Sequence, residues 1–247
     1  MLVFPNAKIN LGLNVVRKRE DGYHDIETLF VPVFSLCDIL ELRHSDSFEV
    51  RVLNAPIRDT LCSAAYALLR GKYDLPPVRI NLYKNIPSGA GLGGGSSDAA
   101  FTLMALDSLF GLHLSKEELC GYAAAIGSDC PFFIYNRPML ASGRGEVLSP
   151  YDFPLDESEL RIYPQDVFVS TKEAYAGITP TEPRMHIEQA LKLPFGSWKD
   201  NVVNDFEKSV FEKHPSLAFA RQRLYDEGAG YAAMSGSGSA LFTVNRV

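Results

Sequence analysis

Residues 84–110 read KNIPSGAGLGGGSSDAAFTLMALDSLF, with glycines at 89, 91, 93, 94 and 95 between an alternating apolar run and a strongly apolar, helix-like one. Such density weakens any regular element, because glycine loses more backbone entropy on folding than other residues. It is tolerated where the backbone itself is used. Glycine reaches positive φ and lets main-chain N–H groups approach an anion, and the start of the following helix adds donors and the positive end of its dipole. The segment therefore predicts a strand, a phosphate-binding loop and a helix. A flexible linker is the bland alternative, but linkers rarely run straight into a helix-cap pattern such as Ser96-Ser97-Asp98.

Two familiar phosphate loops do not fit. A Walker A loop ends in Gly-Lys-Ser/Thr, and no lysine follows these glycines. Gly89, Gly91 and Gly94 satisfy G-x-G-x-x-G, but the dinucleotide fold then needs a second strand ending in an acidic residue, whereas residues 112–127 read as helix. A dinucleotide-dependent oxidoreductase is thus the weakest reading.

Outward from the loop the periodicity changes from segment to segment, which favours an α+β fold. Upstream, AKINLGLNVV alternates like a strand, GYHDIETLFVPVF continues extended, LELRH and FEVRVL are short alternating runs, and DTLCSAAYALLR is helical in pattern. Downstream, SKEELCGYAAAIG reads as a second helix. A proline-rich stretch from Pro150 to about Pro164 marks a domain boundary, giving residues 1–150 and 151–247. The second part contains VFVSTKEAY, helical segments around Glu188 and Phe211, and a closing strand ALFTV.

With 247 residues, 46% hydrophobic and 22% charged, the chain can bury an ordinary core. Its 24 Lys plus Arg against 30 Asp plus Glu give a net charge of −6, so nothing draws it generally to nucleic acid or anionic lipid. A polyanionic ligand needs a local positive site. Cys37, Cys62, Cys120 and Cys130 are widely spaced without a C-x-x-C pair, and read as reduced and mostly buried. No basic run precedes the apolar N-terminus and no long apolar stretch occurs, so a cytoplasmic, non-membrane protein is expected, its oligomeric state left open.

Phosphoryl transfer needs positive charge near the transferred group and a residue to position or deprotonate the acceptor hydroxyl. Lys8, within the apolar strand Asn6-Ala7-Lys8-Ile9-Asn10, is one candidate; an inward-facing lysine there usually has an anionic partner, and solvent exposure is the alternative. Asp129, in GSDCPFFI, is the second, standing after a helix and before an apolar run, where it could project into a cleft or simply cap.

Taken together, PNAKINLGL, PSGAGLGGGSSDAA, GSDCPFF and MSGSGSALF resemble, in order and spacing, the motifs of the GHMP family of small-molecule kinases. GYHDIETLF is similar to the signature of the branch whose acceptor is a sugar alcohol carrying a cytidine diphosphate moiety, in the non-mevalonate route to isoprenoid precursors. The resemblance implies a two-domain fold. The N-terminal, nucleotide-binding half is like domain 2 of ribosomal protein S5, and the C-terminal half, contributing to substrate binding, is ferredoxin-like. It implies that Lys8 and Asp129 are the catalytic pair, and that Pro87, Ser88, Gly89, Ala90, Gly91, Leu92, Gly93, Gly94, Gly95, Ser96 and Ser97 hold the phosphates of ATP, with Lys84 near adenine. Mg²⁺ is implied with the nucleotide; its ligands are not identified, although Ser96 or Ser97 could contribute. For the acceptor, Tyr23 and His24 match cytosine-recognising positions, Tyr175 matches an aromatic on the opposite face, and Asn10 and Thr171 match hydrogen-bonding positions. On residues alone, Tyr23 and His24 read as an Asp-Gly turn and a strand start. Gly236 and Gly238 in SGSGS read as a second compact loop or a simple hairpin turn.

Two departures stand out. The chain stops soon after ALFTV, where family members usually continue with a helix and a strand, which bears on the completeness of the C-terminal domain. In DTLCSAAYALL, Thr60 and Ala64 replace a usual Asn and a basic residue, which implies an altered adenine contact. The competing readings are another kinase of the same family, of homoserine or mevalonate type, and a nucleotide-binding module without catalysis.

Overall fold

A computed structural model describes residues 1–57, 60–154 and 156–245. Asp59 at the head of DTLCSAAYALLR, Leu155 within the proline-rich stretch, and the last two residues lie outside the described residues. In chain order the strands are β1 (Leu2–Val3), β2 (Asn6–Lys18), β3 (His24–Cys37), β4 (Ile39–His44), β5 (Glu49–Val52), β6 (Val78–Tyr83), β7 (Met139–Ser142), β8 (Val147–Pro150), β9 (Leu160–Tyr163), β10 (Tyr231–Met234) and β11 (Leu241–Val244). The helices are α1 (Leu61–Tyr73), α2 (Gly94–Phe110), α3 (Lys116–Ile126), α4 (Cys130–Tyr135), α5 (Thr171–Ala176), α6 (Ile187–Leu191), α7 (Trp198–Asn201), α8 (Phe206–Lys213) and α9 (Pro215–Asp226).

Two compact units interleave along the sequence. The first comprises Met1–Ala7, Pro32–Ser88 and Gly93–Arg137; the second comprises Lys8–Val31, Gly89–Leu92 and Pro138–Val247.

The first unit holds a sheet in the order β1-β4-β6-β5, with β4 antiparallel and β5 parallel to β6. Alternation along β4 and β6 puts Leu40, Leu42, Val78, Ile80 and Leu82 in the core and leaves the less buried Glu41 and Asn81 hydrogen-bonded to each other at 2.6 Å. Against that core α1 contributes Cys62, Ala65 and Leu69, and α2 contributes Ala99, Leu103 and Leu106. Helix α3 is started by a capping box: Ser115 accepts from the Glu118 N–H and the Glu118 carboxylate accepts from the Ser115 N–H.

In the second unit β2, β3, β7 and β8 form one sheet and β10, β11 and β9 another. Leu13, Val15 and Ile26 from the first sheet share a core cluster with Val169, Phe206, Val210, Leu217 and Leu224. Strands β10 and β11 are a hairpin with Met234 opposite Leu241, so SGSGS is a hairpin connection as well as a compact loop.

Helix α2 begins at Gly94 rather than at Ser96, because the first turn of a helix asks nothing of its own N–H groups and Gly93, in the left-handed region, turns the chain into it. Among the described residues the cysteines form no disulfide; Cys62 and Cys130 are buried, while Cys37 and Cys120 are partly exposed. Among the described residues no helix is long and apolar enough to cross a membrane.

Candidate functional site

The centre of the glycine loop, residues 89–92, is held by the second unit. Three successive carbonyls accept hydrogen bonds: Ala90 from the Ala240 N–H at 3.1 Å, Gly91 from Ser235 Oγ at 2.9 Å, and Leu92 from the Lys8 N–H at 3.0 Å. In a trans peptide the C=O of one residue and the N–H of the next point in opposite directions. Fixing these carbonyls therefore turns the N–H groups of Gly91, Leu92 and Gly93 away from the donors. Gly89, Gly91 and Gly93 have φ of +69°, +76° and +71°, while Ala90 and Leu92 are not among the positive-φ residues. That alternation makes a nest, a concavity of main-chain N–H groups suited to an anion.

Position 91 needs glycine for a second reason, since a Cβ there would collide with the Ser235 carbonyl oxygen. The hairpin loop that approaches so closely is itself anchored. Asn204 Nδ2 donates to the Met234 and Gly236 carbonyls at 2.7 and 2.9 Å, and Glu207, paired with Arg221, accepts from the Met234 N–H at 2.7 Å. Ser235→Ala removes the donor to Gly91 and the acceptor of the Asn10 N–H. We expect a loss of about 1–3 kcal/mol, to be read by urea denaturation.

The first unit supplies the two stems of the loop and α2. This helix has no side-chain cap and no acidic residue in its first turn, in contrast to α3, so its N-terminal donors and dipole remain available to an external anion. Ser97 Oγ is buried without a hydrogen-bond partner, and Ser96 is half-buried. Mg²⁺ keeps several waters and takes few protein ligands, so a single hydroxyl beside phosphate oxygens fits it. Among the described residues no three or more His, Cys, Asp or Glu are gathered to hold a metal. Lys84 is 10% exposed at its side chain, and its ammonium is already bonded to Asp38 and, at 2.6 Å, to Asp98. Burial pushes the Asp98 carboxyl up to about 7 against the pull of the Lys84 ammonium.

Lys8 is 4% exposed, which removes the solvent-facing alternative. Its ammonium donates to Asn10 Oδ1 at 2.5 Å and lies 4.9 Å from the Phe30 ring centroid. Asn10 Nδ2 in turn donates to Thr28 Oγ1 at 3.1 Å, so this side chain links the lysine to β3. In the first unit Asp129 stands half-buried at the N-cap position of α4, with φ −83° and ψ −14°, and makes no capping bond there. The apolar run that follows it is that helix. Thr60 is the N-cap of α1 without a capping bond, and Ala64 is exposed, so packing does not dictate alanine at 64.

Of the acceptor candidates, the second unit brings His24 and Tyr175 together. Their rings stack at 4.7 Å with 19° between planes, a spacing that leaves no room for a base between them. Tyr175 meets Phe206 edge-on at 4.8 Å. Burial, and then Lys18, lowers the His24 pKa, so the imidazole is neutral at pH 7. Tyr23 is 57% exposed beneath the Arg144 guanidinium, and Thr171 Oγ1 lies 3.4 Å from Ser237 Oγ. Sequence reasoning missed Asp38, Thr28, Asn204 and Ser235, and read Asp98 only as part of a helix-cap pattern. Of the four missed, only Ser235 carried a signal, as the first serine of SGSGS.

The family described as GHMP kinases N terminal domain matches residues 60–137, and that described as GHMP kinases C terminal matches residues 187–244. A Bacteroides thetaiotaomicron protein named 4-diphosphocytidyl-2-C-methyl-D-erythritol kinase is 48% identical over 250 residues, covering 98% of this chain and 91% of its own length. A Porphyromonas gingivalis protein of that name is 46% identical over 254 residues, covering 100% and 92%. Among solved structures, a 4-(cytidine 5'-diphospho)-2C-methyl-D-erythritol kinase superposes with TM-score 0.84 at 35% identity, covering 100% of this chain and 90% of that one. A mevalonate kinase, with TM-score 0.71 at 14% identity over 100% of this chain and 91% of that one, shares the fold alone.

Proposed function

The chain belongs to the GHMP kinases, within the 4-diphosphocytidyl-2-C-methyl-D-erythritol kinase family, and from that membership we propose that it transfers the γ-phosphoryl group of ATP to the 2-hydroxyl of 4-diphosphocytidyl-2-C-methyl-D-erythritol. The reaction belongs to non-mevalonate isoprenoid precursor biosynthesis, and we assign it to the cytoplasm without nucleic acid or membrane partners. Residues 1–150 act as the nucleotide-binding half, and residues 151–247 contribute acceptor contacts. The observation that carries this reading is the nest at residues 89–93, whose N–H groups are turned outward by three fixed carbonyls.

ATP is the phosphoryl donor, and Ser96 or Ser97 with water would hold a Mg²⁺ ion, which when bound would neutralise charge on the phosphates. The loop N–H groups and the start of α2 hold the phosphates in line. Lys8, aimed by Asn10 and Thr28, meets the negative charge spread over the transferred group; a preorganised cation in a dry site is worth about 3–4 kcal/mol of barrier. Asp129 orients the acceptor hydroxyl and takes its proton, although in a loose transition state orientation contributes more than basicity.

For the base, neutral His24 offers one donor and one acceptor to the pyrimidine edge, and Tyr175 offers a ring face, with Tyr23 as the second aromatic. Because the His24 and Tyr175 rings touch, the base takes the imidazole's place on Tyr175 as His24 swings to its edge. Thr171 donates to the acceptor from the start of α5.

The test is coupled ADP release with Mg-ATP and 4-diphosphocytidyl-2-C-methyl-D-erythritol, with homoserine and mevalonate as competing acceptors. Turnover is expected with the cytidyl acceptor, and Tyr175→Ala is expected to raise its KM by about tenfold or more with little change in kcat. No ADP release above background, from a chain that still binds Mg-ATP, would sink the reading.

A further inference from the structure

The glycine loop leaves β6 at Lys84 and enters α2 at Gly94, and both stems lie in the first unit. The upstream stem is riveted in place. Asp38 Oδ1 accepts the N–H groups of Asn85 and Ile86 at 2.6 and 2.8 Å, while the Asn54 side chain bonds both the N–H and the C=O of Lys84 at 2.9 and 2.8 Å. Asp38 itself is 0% exposed, and its N–H donates to the Pro5 carbonyl at 2.8 Å. From this stem the Lys84 ammonium reaches across to Asp98, in the second turn of α2, at 2.6 Å while also bonding Asp38. The stems meet there. A Cβ on Gly94 would lie 2.9 Å from Ile86 Cγ2 and 3.3 Å from Lys84 Nζ.

We propose that Lys84, Asp38 and Asp98 form a buried charge clamp that closes the two stems of the glycine loop, making Lys84 and Asp98 positioning residues for the phosphates of the nucleotide. Lys84 thus acts on nucleotide affinity through the spacing of the stems, not by touching the base. This deepens the kinase reading and rests on it for the identity of the nucleotide. The physical reason is that one ammonium between two side chains exposed by only 0% and 4% fixes both in one geometry, since either carboxylate left alone in the interior would be uncompensated. With the stems so fixed, the intervening residues are presented at one span, and a shift of about 1 Å at a phosphate site is enough to cost affinity.

Direct binding to the folded chain tests this without any acceptor, so a failure of the proposed reaction leaves it measurable. Mg-ATP and magnesium tripolyphosphate, which has no base, are titrated by calorimetry against the native chain, Lys84→Met, Asp98→Leu and Asp98→Asn. Lys84→Met and Asp98→Leu are expected to weaken both ligands by the same factor, at least about tenfold. Asp98→Asn keeps an acceptor for the ammonium and is expected to restore binding to within about threefold of native. If Lys84→Met does not fold, Gly94→Ala, which pushes the stems apart with every charge in place, carries the same expectation for both ligands. Loss of Mg-ATP affinity with tripolyphosphate affinity unchanged would overturn the clamp in favour of a base contact. A folded Lys84→Met that binds both ligands as the native chain does would overturn it as well.

Discussion

Asp129→Asn is expected to lower kcat in the coupled ADP-release assay by about 10²–10⁴ while leaving the affinity for Mg-ATP within about twofold of native. Asparagine has nearly the same shape and can still hold a hydroxyl in place, but it cannot take a proton. The change therefore separates proton removal from orientation. The Asp129 side chain does not cap α4, so the helix loses no capping bond with the substitution. A fall of less than about tenfold would mean that Asp129 acts by orientation alone. A large rise in the dissociation constant of Mg-ATP would instead place it with the nucleotide.

Gly91→Ala is expected to abolish Mg-ATP binding within the measurable range, a loss of at least about 100-fold, and to destabilise the chain by about 3 kcal/mol or more. Two costs add. At φ +76° any side chain is strained, by about 1–2 kcal/mol. The new methyl would also collide with the Ser235 carbonyl oxygen and come within 3.1 Å of the Gly238 nitrogen, and neither is the end of a flexible side chain. Relief requires the hairpin loop and the glycine loop to part, which undoes two of the three carbonyl bonds that aim the nest, those from Ala240 and Ser235. Gly95→Ala is the control for stability. Position 95 is helical, its nearest neighbour to a new Cβ is Leu61 Cδ1 at 3.9 Å, and the change is expected to stabilise by up to about 1 kcal/mol. Urea denaturation reads both, and equal effects of the two substitutions would contradict this account of position 91.

Local chemistry is legible in the order of residues. Alternating apolar residues fixed β2, β3, β4 and β6, helical patterns fixed α1, α2 and α3, and the glycines at 89, 91 and 93 announced the left-handed backbone that a nest requires. A lysine in an apolar strand marked itself as a candidate but left burial and exposure both open, while the order of four motifs was enough to indicate the family. Contacts between distant positions are settled by the folded chain alone. Ser235 is 144 residues from the Gly91 carbonyl it fixes, and Lys84 is 46 residues from Asp38. The resemblance set Lys84 beside adenine, and nothing near it in sequence shows that its ammonium is held by two carboxylates. Strands β7 to β10 have four residues each, where a period of two registers only weakly, and they exist because the neighbours of the folded sheet complete their hydrogen bonds. His24 and Tyr175, 4.7 Å apart in space, could be matched to aromatic positions from sequence but not shown to touch. Periodicity, turn chemistry and capping act within a few residues, whereas buried polar groups find their partners wherever the folded chain brings them.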